Sequence, residues 1–230
     1  MIPLRDELRS DSFPVVTVAL IIINAVVFIY QLYIGPLGFE RYVYSYGLTP
    51  FNLFHSVQLT ALKDAQPAMP EFFKAFSSMF MHGGFMHIIM NMWILWIFGD
   101  NVEDAMGKPK YLAFYLVCGL VAALSHSIFN PSSKVPLVGA SGAIAGVMGA
   151  YMILYPRAKI ITLLFFFIFI RIVRIPAFFF LGFWFLLQLL YSPAGGAVAY
   201  LAHVGGFLAG IALVLVLRKS NKGFRVISVK

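Results

Sequence analysis

A serine, three histidines and an asparagine carry the chemistry that this sequence can offer. Ser141 stands in Gly139-Ala140-Ser141-Gly142, where a loop turns into an apolar, helix-like run. Glycines on either side allow a tight turn and the close approach of another segment. At a helix N-terminus the first backbone N–H groups lack partners within the helix, and the positive end of the dipole lies there too. An oxyanion formed beside Ser141 would be stabilised in that position. Taken alone, a serine at such a place is more commonly an N-cap. His203 shifts the balance. It stands in Ala202-His203-Val204-Gly205-Gly206, and Gly206 and Gly210 follow at GxxxG spacing. Gly142, Gly146 and Gly149 give the run after Ser141 a similar small-residue face. Two such faces let helices pack closely in a membrane, which predicts His203 within hydrogen-bonding reach of Ser141. A serine with a general base at that distance is an activated nucleophile.

His87 and Asn91 are separated by four residues and share one helix face. Both can donate hydrogen bonds and could complete an oxyanion-binding site. The plainer alternative for this pair is a polar contact between helices. His82 belongs with the same cluster, as support for the adjoining loop. A third acid is missing: all 9 Asp and Glu residues lie at or before Asp104. A Ser-His-Asp triad is therefore disfavoured and a Ser-His dyad is expected. Zinc held by His82, His87 and His203 is the competing chemistry. No HExxH is present and no carboxylate is near, so no metal is expected.

The elements that position these groups follow from composition. Of 230 residues, 61% are apolar and 11% charged. Soluble proteins carry about 45–50% and about 25%. A soluble chain of this size could not hide so much apolar surface. A multi-pass membrane protein is left, an all-α bundle of six transmembrane helices. Span 1 reads as Phe13 to Ile34. A long mixed segment follows, from Gly35 to about Ser78, expected to lie at the membrane interface as amphipathic helices. Span 2 is expected from about Phe80 to Phe98, and span 3 from about Tyr111 to Phe129. Span 4 runs from Ser141 to Tyr155, only about 22 Å of helix against a hydrocarbon core of ~30 Å. Loop Pro131–Ala140 must then dip inward to cover the rest. Ala177–Tyr191 is placed as span 5, with Ile160–Ile175 as an interfacial or partly inserted segment. Span 6 is about Tyr200 to Leu217, closed by Arg218 and Lys219.

With six spans both termini share a side. Setting them inside leaves only Arg41, Lys63, Lys74 and Lys134 of the 17 Lys and Arg on the outside, so N-in, C-in is expected. The polar starts of spans 2, 4 and 6 then meet in the outer half of the membrane, where such groups face the interior and are functional by default. Domain organisation follows: residues 1–12 as a cytoplasmic segment, 13–217 as the membrane domain, 218–230 as a basic cytoplasmic tail. The net charge of +8 is that of a positive inner face, and no nucleic-acid partner is expected. Cys118, the single cysteine, has no disulfide partner and reads as a small core residue.

These motifs resemble those of the rhomboid intramembrane serine proteases. The matches are His82-Gly83-Gly84-Phe85-Met86-His87 with Asn91, then Gly139-Ala140-Ser141-Gly142, then Ala202-His203-Val204-Gly205-Gly206, in family order on spans 2, 4 and 6. They cover about residues 14–217. The resemblance implies Ser141 as nucleophile and His203 as general base. It implies an oxyanion site formed by His87, Asn91 and the Ser141 backbone N–H. It makes Gly139, Gly142, Gly206 and His82 supporting residues, and Glu103 a structural glutamate at the cytoplasmic end of span 2. It implies a membrane-embedded first loop, and a mobile cap at Tyr191–Ala199. One position departs: some members carry a tyrosine four residues after the serine, stacked on the histidine, and here Ala145 stands there.

Substrates implied by the resemblance are transmembrane segments of other membrane proteins, locally unwound, within the lipid bilayer. The cap or span 5 would move to admit them, and no cofactor is required. The alternative is a catalytically inactive rhomboid-like factor that binds membrane proteins; a small transporter or channel is the other rival class. The absence of an organelle presequence and the minimal six-span core are the grounds for expecting a prokaryotic plasma membrane.

Overall fold

The computed structural model describes residues 1–55, 69–166, 169–194 and 198–220. The basic tail beyond Ser220, part of the first loop (56–68) and part of the expected cap (195–197) lie outside the described residues.

Helices occupy all six expected span positions. They are α1 (Val15–Tyr33), α5 (Phe85–Met106), α6 (Lys108–Phe129), α7 (Ser141–Leu154), α8 (Ala177–Tyr191) and α9 (Tyr200–Ser220). Between α1 and α5 the first loop holds α2 (Gly35–Tyr46), α3 (Pro50–His55) and α4 (Glu71–Ser77), followed by a 3-10 turn at Ser78–Phe80. Among the described residues, α1, α6 and α9 are long and apolar enough to cross a membrane. Glu71–Phe80 and Phe85–Met106 together form a fourth candidate, bent by 79°. Helices α7 and α8 are apolar but shorter. At 14 residues, α7 spans about 21 Å and falls short of a ~30 Å hydrocarbon core, as its sequence demands.

Helix α7 is the hub. Every residue from Gly142 to Tyr151 is buried. An all-round apolar helix of this kind has no water-facing side and belongs at a centre. Its closest neighbour is α9, and the glycines explain why. A Cβ on Gly206 would strike the Gly142 carbonyl oxygen, and one on Gly210 the Gly146 carbonyl oxygen. Bare Cα atoms let the two backbones touch, the arrangement that the GxxxG spacing predicts. Cys118 of α6 is fully buried against Gly146.

Helix α1 has Pro14 at its N-cap and no side-chain cap of its own. Its orphan N–H groups are met from α5. Glu103 accepts from the backbone N–H of Val16 at 2.9 Å and of Thr17 at 2.8 Å, and from the Thr17 hydroxyl at 2.9 Å. The carboxylate thus caps a helix from across the bundle, where a negative charge suits the positive end of the dipole. In the first loop, buried Lys74 pairs with Glu71 at 3.0 Å and donates to the Tyr44 carbonyl at 3.3 Å. Those bonds tie α4 to the end of α2.

The all-α expectation needs correction. The chain forms a three-stranded antiparallel sheet in the order β1 (Ile2–Asp6), β2 (Lys159–Phe166), β3 (Phe169–Pro176). The segment expected to be interfacial is therefore a hairpin, paired from Lys159↔Pro176 to Phe166↔Phe169. The N-terminal residues are its third strand, with Ile2 opposite Leu163 and Asp6 opposite Ile160. The physical reason is a period of two. Ile160 and Thr162 are buried, while Phe165, Ile170 and Ile172 are exposed, and β-branched side chains fit a pleated surface. Arg174, at the root of the hairpin, pairs with Glu7 at 2.8 Å.

Candidate active site

Ser141 is the first residue of α7, where backbone N–H groups start without helical partners. The turn that delivers it passes through Gly139, at φ +129°, a conformation that side chains rarely adopt. The Gly139 N–H donates to the Ser78 carbonyl at 2.8 Å, so the turn is pinned to the segment before α5.

His203 enters from α9, held beside α7 by the glycine faces. Its Nε2 lies 2.8 Å from Ser141 Oγ. Its Nδ1 lies 2.8 Å from Gln188 Oε1 of α8. The Trp184 ring stands 5.9 Å from the imidazole, tilted by 34°. An aromatic from α8 thus stands near the His203 ring, while Ala145 is fully buried. A hydroxyl and an imidazole at 2.8 Å can exchange a proton.

His87 comes from the first turn of α5. Its Nδ1 accepts from the Gly83 N–H at 3.2 Å. In a neutral ring the proton then sits on Nε2. That nitrogen faces Gly139, where an added Cβ would come within 2.7 Å of it and 3.7 Å of Ser141 Oγ. Gly139 therefore separates a ring donor from the serine with nothing bulkier than hydrogen. Asn91, one turn further on, is buried, and its Nδ2 donates to the His87 carbonyl at 2.9 Å. An amide carries a second N–H beyond that one.

His82 is fully buried with its ring edge-on to His87, the centroids 5.0 Å apart. Gln31 of α1 grips its backbone at both ends: Nε2 donates to the His82 carbonyl at 3.2 Å, and Oε1 accepts its N–H at 3.1 Å. Position 82 is thus tied to α1 through its main chain. Gly142 and Gly206 face each other behind Ser141. Among the described residues, no group of three His, Cys, Asp or Glu could hold a metal ion. A small cavity at Ser141 is also lined by Ser78, Val138, Gly139, Gly142 and Ala202.

All eight residues singled out from the sequence thus gather at one end of α7. Sequence reasoning missed Gln188 and Trp184. A signal existed: Gln188 is the one polar side chain in the apolar run Ala177–Tyr191 apart from the aromatic heteroatoms, and Trp184 sits one turn before it.

With that geometry in view, the relatives can be placed. The family model described as "Rhomboid domain" matches residues 69–220. Rhomboid protein 1, mitochondrial, of Saccharomyces cerevisiae is 32% identical over 145 residues, covering 58% of this chain and 38% of that protein. RHOMBOID-like protein 6, mitochondrial, of Arabidopsis thaliana is 30% identical over 157 residues, 64% of this chain and 44% of that protein. Rhomboid protease GluP of Bacillus subtilis is 31% identical over 96 residues, 42% of this chain and 18% of that protein. The match spans less than half the length of each. Relatives named as mitochondrial overturn the expectation of a prokaryotic plasma membrane. The physical reason is that a helical core built to satisfy a bilayer looks alike in any membrane, so its brevity carried no address. Membrane residence itself stands on the apolar helices. The sequence motifs and the matched domain together show that this chain belongs to the rhomboid family.

Proposed function

We propose that the chain is an intramembrane serine endopeptidase that cleaves transmembrane segments of other membrane proteins. The observation that carries this reading is the 2.8 Å approach of His203 Nε2 to Ser141 Oγ at the start of a buried helix. Rhomboid membership and a relative named as a protease support it.

The steps follow from the geometry. A substrate segment unwinds locally, since a helical carbonyl is already hydrogen bonded. His203 takes the Ser141 proton through Nε2 while Oγ attacks the carbonyl carbon. Negative charge grows on the carbonyl oxygen. The Ser141 backbone N–H, the Nε2–H of His87 and the second N–H of Asn91 stabilise it. His203 then passes its proton to the leaving amine, and an acyl-enzyme forms. Water, deprotonated by His203, releases it. The unit that does this is residues 13–217, with six spans, both termini inside and the site in the outer half of the bilayer.

A purified-membrane assay on several reporter transmembrane segments tests the reading. Ser141→Ala should insert and fold yet abolish cleavage, and wild type should label with a fluorophosphonate at Ser141. Cleavage retained by Ser141→Ala would remove the serine mechanism. A wild type that neither cleaves nor labels would leave the inactive membrane-protein-binding factor as the better reading.

A further inference from the structure

We propose that Gln188 is a positioning residue that holds His203 in the one ring tautomer able to take a proton from Ser141. The proposal rests on the Ser141–His203 reading above and adds a third member to it, supplied by α8.

The direction of each hydrogen bond fixes the argument. Gln188 is buried, so its amide must find partners within the protein. Its Nε2 donates to the Trp184 carbonyl, at 3.4 Å, on its own helix. That contact turns the amide so that Oε1 points at His203 Nδ1, 2.8 Å away. A carbonyl oxygen can only accept. Nδ1 must therefore carry the proton, and Nε2 is left with a lone pair facing the Ser141 hydroxyl. The opposite amide orientation would offer an N–H to Nδ1, force the proton onto Nε2, and leave the base unable to accept. Trp184 stands 5.9 Å from both the imidazole and the Phe207 ring one turn along α9, and limits rotation of the imidazole.

This explains how the site works without an acid. No carboxylate follows Asp104 in the chain. A neutral amide supplies orientation without charge, which suits a ring that must lose its proton again in each cycle.

The test compares wild type with Gln188→Met and Gln188→Glu in liposomes carrying a reporter segment. Met keeps the length of the side chain and removes the acceptor. Glu keeps an acceptor and adds a charge. Gln188→Met should lower kcat roughly 10–100-fold with KM changed less than about threefold, the range expected for a base held in the wrong tautomer part of the time. Gln188→Glu should keep most of kcat. Its carboxylate favours the imidazolium, so the acidic limb of the pH–rate profile should move to higher pH. A packing role alone predicts losses that follow thermal stability in both variants and an unmoved acidic limb; that pattern overturns the proposal. Wild-type kcat and pH profile in Gln188→Met would overturn it too, while Ser141-dependent cleavage by wild type would keep the function intact. Wild-type cleavage that survives Ser141→Ala removes the function and the proposal together.

Discussion

Gly139 sits two residues before the serine, on the turn that delivers it. It lies between the His87 ring and Ser141, and its φ of +129° disfavours any side chain. Gly139→Ala therefore meets both a strained backbone and a ring nitrogen at 2.7 Å. The His87 ring must swing away or the turn must shift. Cleavage by Gly139→Ala should fall at least tenfold in protein that still inserts and folds. A loss of cleavage that only tracks loss of folded protein would assign Gly139 to the fold alone. The sequence made Ser141, His203, His87 and Asn91 legible because each sits in a short motif whose spacing carries its meaning. Gln188 has no motif. Its partner is fifteen positions away in the chain and on another helix, so only the packing of α8 on α9 reveals what its amide is for.

At the scale of elements, α1 depends on a carboxylate that it does not own. Glu103 accepts hydrogen bonds from two backbone N–H groups and one hydroxyl at its start. Glu103→Ala strands those donors in a buried place, at a cost of about 2–4 kcal/mol. A lower unfolding temperature in detergent is expected, with Glu103→Gln intermediate because its amide keeps one oxygen acceptor. An unchanged melting temperature in Glu103→Ala would refute the capping role. Helix bounds were legible in part: span 2 was expected over about Phe80–Phe98, whereas α5 runs Phe85–Met106 and stops only at Gly107, where φ is +78°. Ala177–Tyr191 matches its expected limits, and the short α7 begins at the serine. The hairpin was not legible. A run of isoleucine, leucine and phenylalanine broken by two arginines satisfies several templates. Its alternating burial appears only once the sheet has a protein face and an open face.

Across the whole molecule, the first strand binds remote parts together at the end of α7 opposite the serine. The Tyr151 hydroxyl donates to Asp6 Oδ2 at 2.5 Å and Asn101 Nδ2 donates to it at 3.0 Å. The Trp93 indole N–H donates to the Pro3 carbonyl at 2.7 Å. Burial lifts the Asp6 carboxyl to about 7; the Tyr151 hydrogen bond opposes the rise and the nearby Asp100 adds to it. The sign follows directly. An unfolded Asp6 ionises near 3.8, before the folded one does, so stability falls as pH rises from about 4 to about 7 and levels off above. Unfolding midpoints measured between pH 5 and pH 8 should decline, and Asp6→Asn should flatten that decline. An identical slope in the variant would place the titration elsewhere.

That strand has a timing built into it. Ile2 pairs with Leu163, and Glu7 donates through its N–H to the Lys159 carbonyl. Residues 2–7 thus leave a ribosome long before residues 159–163, and they find these partners only after α1 through α7 have been laid down. Contacts of such sequence separation close slowly. Completion of the sheet therefore reports that the helices between its strands have already been made, and a nascent chain stalled before residue 159 would leave residues 2–6 without their strand partner and open to protease.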